Sequence, residues 1–364
     1  MTRRLATCRL ATRRLRRAMT AAAAACAALA ATGALAACSS SAASTTSGAQ
    51  SITLYSGQHE QTADGLVTAF EKQTGITVNV RSDDEDTLAN LIAVQGSHSP
   101  ADVFYTENSP PLEFLQEKGL LAPVDASTLA HTPSRYNSPQ GDWAGVSARV
   151  SVIVYNPSLI SASQLPTGVL QLADPKYKGK LGIAPGETDF QPIVTSVIRT
   201  YGRARALSWL EGIKANGASH NYPDNETLVD EVNRGQAAFG VLNEYYWYRL
   251  KAEIGAGAIH SQITHFAPHD PGYVVDVSGA AVLKSSKHQA AAQKFLAFLV
   301  SKQGEEIIGR TAGTEQSYEY PLGSGVTTSA PETPFGQLQP APLTIADLGD
   351  GSAAIALLHQ AGLL

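Results

Sequence analysis

The chain has 364 residues, 43% of them apolar and 16% charged, which is long enough for two ordinary domains and too apolar for a disordered chain. Its formal charge of −5 conceals an asymmetry: seven arginines and no acidic residue fall in residues 1–37, so the remainder carries 20 basic against 32 acidic side chains, a net of −12. A body this acidic repels polyanions, which excludes a nucleic-acid binder driven by phosphate neutralisation and leaves a cationic ligand open.

Residues 1–37 read as an export signal. Arg13, Arg14, Arg16 and Arg17 form a basic head, and the apolar run Ala21 to Ala31 follows. That run is too short to span a bilayer, which takes about 20 apolar residues. Leu35-Ala36-Ala37-Cys38 resembles a bacterial lipobox, in which the cysteine becomes the lipidated first residue of the mature chain. The three cysteines, Cys8, Cys26 and Cys38, all lie at or before this point, so the body has neither disulfides nor thiolate metal sites. Residues 38–50, rich in Ser, Thr and Ala, then form a flexible tether.

The body opens with a strand, Ser51 to Tyr55. A helix with Leu66, Val67 and Phe70 on one face follows and ends at Gly75. Ile76 to Val80 alternates as a strand, Leu88, Leu91, Ile92 and Val94 mark a second helix, and Ala101 to Tyr105 is another strand. This βαβαβ rhythm implies an open, largely parallel sheet with helices on both faces. Ser151 to Tyr155 is nearly all apolar, as a buried central strand passing between lobes would be. The alternation resumes with a strand at Leu181 to Ala184, helices around Ile193 to Tyr201 and Ala204 to Ile213, and a strand at Ala237 to Leu242. Ala280 to Leu283 and a helix over His288 to Val300 complete it, without an internal repeat.

The expected fold is therefore α/β and two-lobed, each lobe a mixed or parallel sheet flanked by helices, the two joined by hinge strands. Residues 51–150 with 277–325 are assigned to an N-lobe and 151–276 with 326–364 to a C-lobe. Two such lobes, exported and tethered by lipid, form the layout of an ABC-transporter solute-binding protein. Ligands of open α/β sheets sit beyond the carboxyl ends of strands. Three strand ends carry unusual residues there: Ser56-Gly57-Gln58-His59-Glu60, Thr106-Glu107-Asn108, and Asn243-Glu244-Tyr245-Tyr246-Trp247-Tyr248.

The segments TLYSGQHE, PADVFYTENS and VLNEYYW closely resemble the ferric-ion-binding solute-binding proteins, the bacterial periplasmic transferrins. The similarity runs from Ser51 to Gln360-Ala361-Gly362 and includes DPGYVVDVSGAAVLKSS at 270–286 and YPL at 320–322. It implies the periplasmic-binding-protein fold and, residue by residue, His59, Glu107, Tyr245 and Tyr246 as ligands of one Fe3+. It also implies that phosphate, carbonate or water fills the two remaining positions, with Asn225 and Asn243 hydrogen-bonding the anion. Where relatives have a small hydroxyl, this chain reads Glu187-Thr188, so either Thr188 substitutes, the anion differs, or Glu187 itself ligates. Arg149 matches a cleft arginine of some relatives and equally suits an interlobe ion pair.

The chemistry of the four side chains agrees independently. Ferric ion is hard and favours anionic oxygen. A free tyrosine has a pKa of ~10, so ionising one at pH 7 costs about 4 kcal/mol, and two cost about twice that. A trivalent cation can offset this, whereas Ca2+ or Mg2+ hardly can. Consecutive side chains point ~100° apart in a helix and oppositely in a strand, so Tyr245 and Tyr246 can share an ion only at a strand-to-helix corner.

Other functions remain open on residue types alone. A solute-binding protein for an organic or phosphorylated anion would use Arg149, Asn225 and Thr188, with the tyrosines as walls. A surface sensor without a permease has the same layout. A secreted hydrolase would pair Glu107 with Glu60 or Glu187, and needs no adjacent tyrosines. His265 and His269 lie in a Pro-rich stretch and read as structural; His59-Glu60 does not begin a zinc motif, because Ala63 fills the final position. No nucleophile elbow, Walker loop or dinucleotide fingerprint occurs.

The expectation is a non-enzymatic, monomeric, Fe3+-binding lipoprotein at the outer face of the cell membrane, partnered by an inner-membrane ABC permease and ATPase and anchored at Cys38. Expressed in a bacterial host, the mature protein should carry acyl chains that Cys38→Ser removes, as read by intact mass and by loss of membrane retention.

Overall fold

The computed structural model describes residues 50–309, 317–323, 325–326 and 333–364; the leader, Cys38 and all of the tether except Gln50 lie outside them. Strand β1 (Ser51–Ser56) leads through Gly57 into helix α1 (Glu60–Thr74), then β2 (Thr77–Ser82), α2 (Glu85–Gln95) and β3 (Val103–Thr106). β1 lies between β2 and β3 and is parallel to both. Ile52 and Leu54 alternate onto the face covered by Leu66 and Phe70 of α1, as the period-2 pattern requires. α1 stops where expected: Gly75 takes the left-handed conformation (φ 70°) and donates to Glu71 O.

Helices α3 (Pro110–Glu117) and α4 (Ala126–Leu129) precede β4 (Ala144–Tyr155), twelve residues buried along their whole length. The second lobe follows with β5 (Leu181–Gly182), α5 (Phe190–Tyr201), α6 (Arg203–Gly217), α7 (Asn225–Asn233), β6 (Phe239–Asn243), α8 (Glu244–Ile254) and β7 (Gln262–Thr264). The chain returns along β8 (Val275–Val282) to α9 (Gln289–Leu299), α10 (Lys302–Ile308) and β9 (Tyr320–Pro321). It ends with α11 (Ile345–Leu348) and α12 (Ser352–Ala361), the latter packed on α5 and α6.

The fold is two-lobed and α/β, and its two sheets share β4. Residues Ala144–Val150 pair with β8 and residues Ser151–Tyr155 with β6, so one strand changes sheets at the peptide between Val150 and Ser151. A second segment crosses beside it: Ser151 N donates to Val274 O (2.9 Å), and Ser151 Oγ donates to Gly272 O (2.6 Å). The sheets are mixed rather than largely parallel. β8 runs antiparallel to both β3 and β4, and β4 antiparallel to β6, because β8 returns directly from the other lobe without the crossover helix that a parallel neighbour needs.

One face of the first sheet packs on α1, α9 and α10 through Phe70, Phe295 and Phe298; the other meets α2 and α3. Phe70 and Phe295 stand edge to face with centroids 5.0 Å apart. The body is built without sulfur: the two methionines of the chain are Met1 and Met19, and no cysteine follows Cys38. Phe295→Ala should destabilise the metal-free protein by about 3–5 kcal/mol in urea unfolding, and should leave metal binding unchanged because the ring lies outside the cleft.

Candidate metal centre

The side chains singled out by the sequence stand at three strand ends that face one cleft of about 440 Å3, lined by His59, Glu107, Glu187, Thr188, Glu226 and Tyr246 among others. His59 is the residue before α1. Its side chain makes no cap bond, which leaves the ring to the cleft, and its N–H is held by Gln58 Oε1 at 2.8 Å. Glu107 follows β3 directly. Tyr245 and Tyr246 occupy the first turn of α8, right after β6, the irregular corner that convergence of neighbouring side chains demands.

His59 is where they meet. Its Nε2 is in close contact with Glu107 Oε1 and lies 3.3 Å from the Tyr245 hydroxyl. Its ring stands edge-on to Tyr245 (5.4 Å, 72°) and Tyr246 (5.6 Å, 85°), and the phenol rings lie 4.3 Å apart. Among the described residues no three His, Cys, Asp or Glu side chains are grouped to hold a metal, so a metal here needs the phenols.

Electrostatics push the acids and the imidazole toward their neutral forms. Burial, then the Arg249 guanidinium, push His59 down to about 3, so it is a neutral donor throughout the physiological range. Burial raises the Glu107 carboxyl to about 7 against the pull of Arg149 and Arg249. Burial, with Asp189 and Glu107 nearby, holds both phenols well above their ordinary value. Tyr245 is flanked by two cations: the Arg249 guanidinium lies 4.7 Å and the Arg149 guanidinium 5.2 Å from its ring centre. A cation that binds here must displace the phenolic protons, so its affinity falls with acid.

The remaining sequence candidates are placed as follows. Thr188 Oγ1 accepts from Asn108 Nδ2 at 3.2 Å, and Glu187 is half-buried at the cleft wall, pushed up to about 9 by burial, Asp189 and Glu107. Asn225 Nδ2 donates to Asp189 Oδ2 at 3.1 Å. Asn243 ends β6 opposite Ser151 of β4 and is buried. Arg149 is fully buried and pairs with Glu319 Oε2 at 2.9 Å, its guanidinium also over the Tyr245 ring. His265 stacks on Tyr273 at 4.7 Å, and His269 Nδ1 lies 3.1 Å from Pro340 O, away from the cleft.

Four residues escaped the sequence reading. Asp189 accepts from the Tyr245 hydroxyl (3.2 Å), Asn225 and Asn108. Arg249 lies one helical turn after Tyr245, a spacing that could have flagged it. Glu85 binds the Glu107 loop, and Glu319 anchors Arg149; nothing local in the sequence marks either.

Residues 56–306 match the family model of the bacterial extracellular solute-binding proteins. The chain is similar to the Fe(3+)-binding periplasmic protein of Serratia marcescens, 38% identical over 87% of this chain and 92% of that one. Among solved structures it resembles iron-bound HitA from Pseudomonas aeruginosa (41% identity, TM-score 0.81, covering 86% of this chain and 99% of that one). It also resembles the Trichodesmium IdiA (FutA) protein in complex with iron and citrate (32%, TM-score 0.73, covering 86% and 99%).

The raised carboxyls carry a pH signature. Glu107 and Glu187 bind protons more tightly folded than unfolded, so stability from them is full below the ordinary carboxyl pKa of 4.5 and is lost as pH rises through about 7 and about 9. Denaturant midpoints of the metal-free protein should show Glu187→Gln losing less stability than the parent between pH 5 and pH 9.

Proposed function

The chain belongs to the bacterial extracellular solute-binding protein family, and we propose that its solute is ferric ion, bound by His59, Glu107, Tyr245 and Tyr246 for delivery to an ABC importer. The observation that carries this reading is the meeting of two buried phenols and a carboxyl on one neutral imidazole. A trivalent ion converts the paired phenols into two anionic donors and reverses the local electrostatics. Dications such as Ca2+ and Mg2+, with less charge, supply too little binding energy to offset that deprotonation.

In this reading the N-lobe is residues 51–150 with 277–325 and the C-lobe 151–276 with 326–364. His59 and Glu107 come from the first and both tyrosines from the second, so the ion joins the lobes and favours the closed arrangement. The permease and its ATPase would receive the ion as the lobes part. Cys38 would hold the monomeric protein at the membrane by its acyl chains, with residues 38–50 as the tether.

Four protein donors leave two octahedral positions for a small anion, phosphate or carbonate, or for water. Asp189 bears on that choice. It already takes the Asn225 amide and the Tyr245 hydroxyl, so an anion entering beside it must displace or protonate a buried carboxylate. Such crowding favours a singly charged or protonated anion, or water, over a fully ionised phosphate.

The ferric protein should show a visible phenolate-to-iron charge-transfer band. Replacing both Tyr245 and Tyr246 by Phe should abolish the band and stoichiometric iron binding, measured by absorbance and elemental analysis; retention of both would refute the ligand assignment.

A further inference from the structure

Behind Glu107 sits a second carboxylate that the proposed ligand set does not use. Glu85, the first residue of α2, is 2% exposed. Its Oε2 accepts from the backbone N–H of Glu107 at 2.7 Å and of Asn108 at 3.0 Å, and its Oε1 accepts from Asn108 Nδ2 at 3.0 Å. Three donors from two consecutive residues of the β3 end thus converge on one side chain from the β2 end. The turn that carries His59 closes over the same residue: a Cβ at Gly57 would lie 2.4 Å from Glu85 Cβ and 2.7 Å from its Cα, so only glycine fits there. Asp84 caps α2 by accepting from Thr87 N at 2.8 Å, which anchors the turn Glu85 belongs to. Asn108 carries the linkage across the cleft, since its Nδ2 also lies 3.0 Å from Asp189 Oδ1 and 3.2 Å from Thr188 Oγ1.

We propose that Glu85 is the positioning residue for Glu107: by taking the N–H groups of Glu107 and Asn108, it sets the backbone so that the Glu107 carboxyl faces His59 rather than the loop. This rests on Glu107 being an iron ligand. The role calls for an acceptor-only side chain of this length, because both oxygens are engaged and every partner is a donor. Glutamine keeps the volume but turns an NH2 toward donors, so filling space and positioning the loop predict opposite outcomes for it.

The test uses the mature chain as Glu85→Gln, Glu107→Ala and the double variant, with Fe3+ affinity from citrate competition and the visible band as readouts. Glu85→Gln should weaken iron binding about 10- to 100-fold, the range for groups that orient a metal ligand, and shift the band in the same direction as Glu107→Ala does. In the Glu107→Ala background it should add less than about twofold, because the residue it acts through is gone. Should Glu85→Gln not fold, Glu85→Asp, which keeps the charge but withdraws it by one methylene, should give the same background-dependent loss. If Glu107→Ala weakens binding while Glu85→Gln leaves it at the parent value, or weakens it equally in both backgrounds, the ligand set stands and the positioning role is overturned. If Glu107→Ala itself binds iron as the parent does, the ligand assignment falls and this role falls with it.

Discussion

Crowding of acids along one cleft is the constraint on which the rest of the molecule depends. Glu107, Glu187 and Asp189 surround two phenols, and burial and mutual repulsion raise every one of them. Each charge such a cluster gains makes the next costlier. Arg149 and Arg249 relieve part of it, yet both are themselves drawn toward Glu319, which is fully buried and held below its ordinary value chiefly by those two guanidiniums despite its burial. The arrangement is short of positive charge, and a highly charged cation is the species that resolves the shortfall.

The frame delivers these groups through the sharing of β4. Val150 is the last residue to pair with β8 and Ser151 the first to pair with β6. Glu244, which opens the helix carrying both tyrosines, accepts from Val150 N at 2.7 Å. The phenol-bearing turn is thereby tied to the point where the chain passes from one lobe to the other, while His59 and Glu107 are fixed to β1 and β3. With the proposed ligands, movement of one lobe against the other would alter the distance between the two halves of the set, which would couple ion capture to lobe geometry.

Much of this was legible in the sequence because it is local. The alternation in Ser51–Tyr55, the apolar face of α1 and the stop at Gly75 are short-range signals, and each element formed where its pattern stood. The corner at Asn243–Glu244 followed from the bare geometry of adjacent side chains. What was not legible depends on long-range return. The antiparallel placing of β8 is set by how the chain comes back from the second lobe. Arg149 could be read as a cleft residue or an ion-pair partner, and its Glu319 partner lies 170 positions away in sequence. Asp189 stood next to two residues already under consideration, but the hydroxyl it accepts from comes from Tyr245, and no local pattern joins them.

The sulfur-free body has a chemical consequence of its own. Thioethers and thiols are the side-chain groups most readily converted by peroxide, and a bound ion that cycles between oxidation states generates oxidants at short range. From residue 39 to the C-terminus the chain offers neither group. A redox-active ion held in the cleft would meet no thiol of this body to reduce it and no methionine whose sulfoxide would loosen the packing around it.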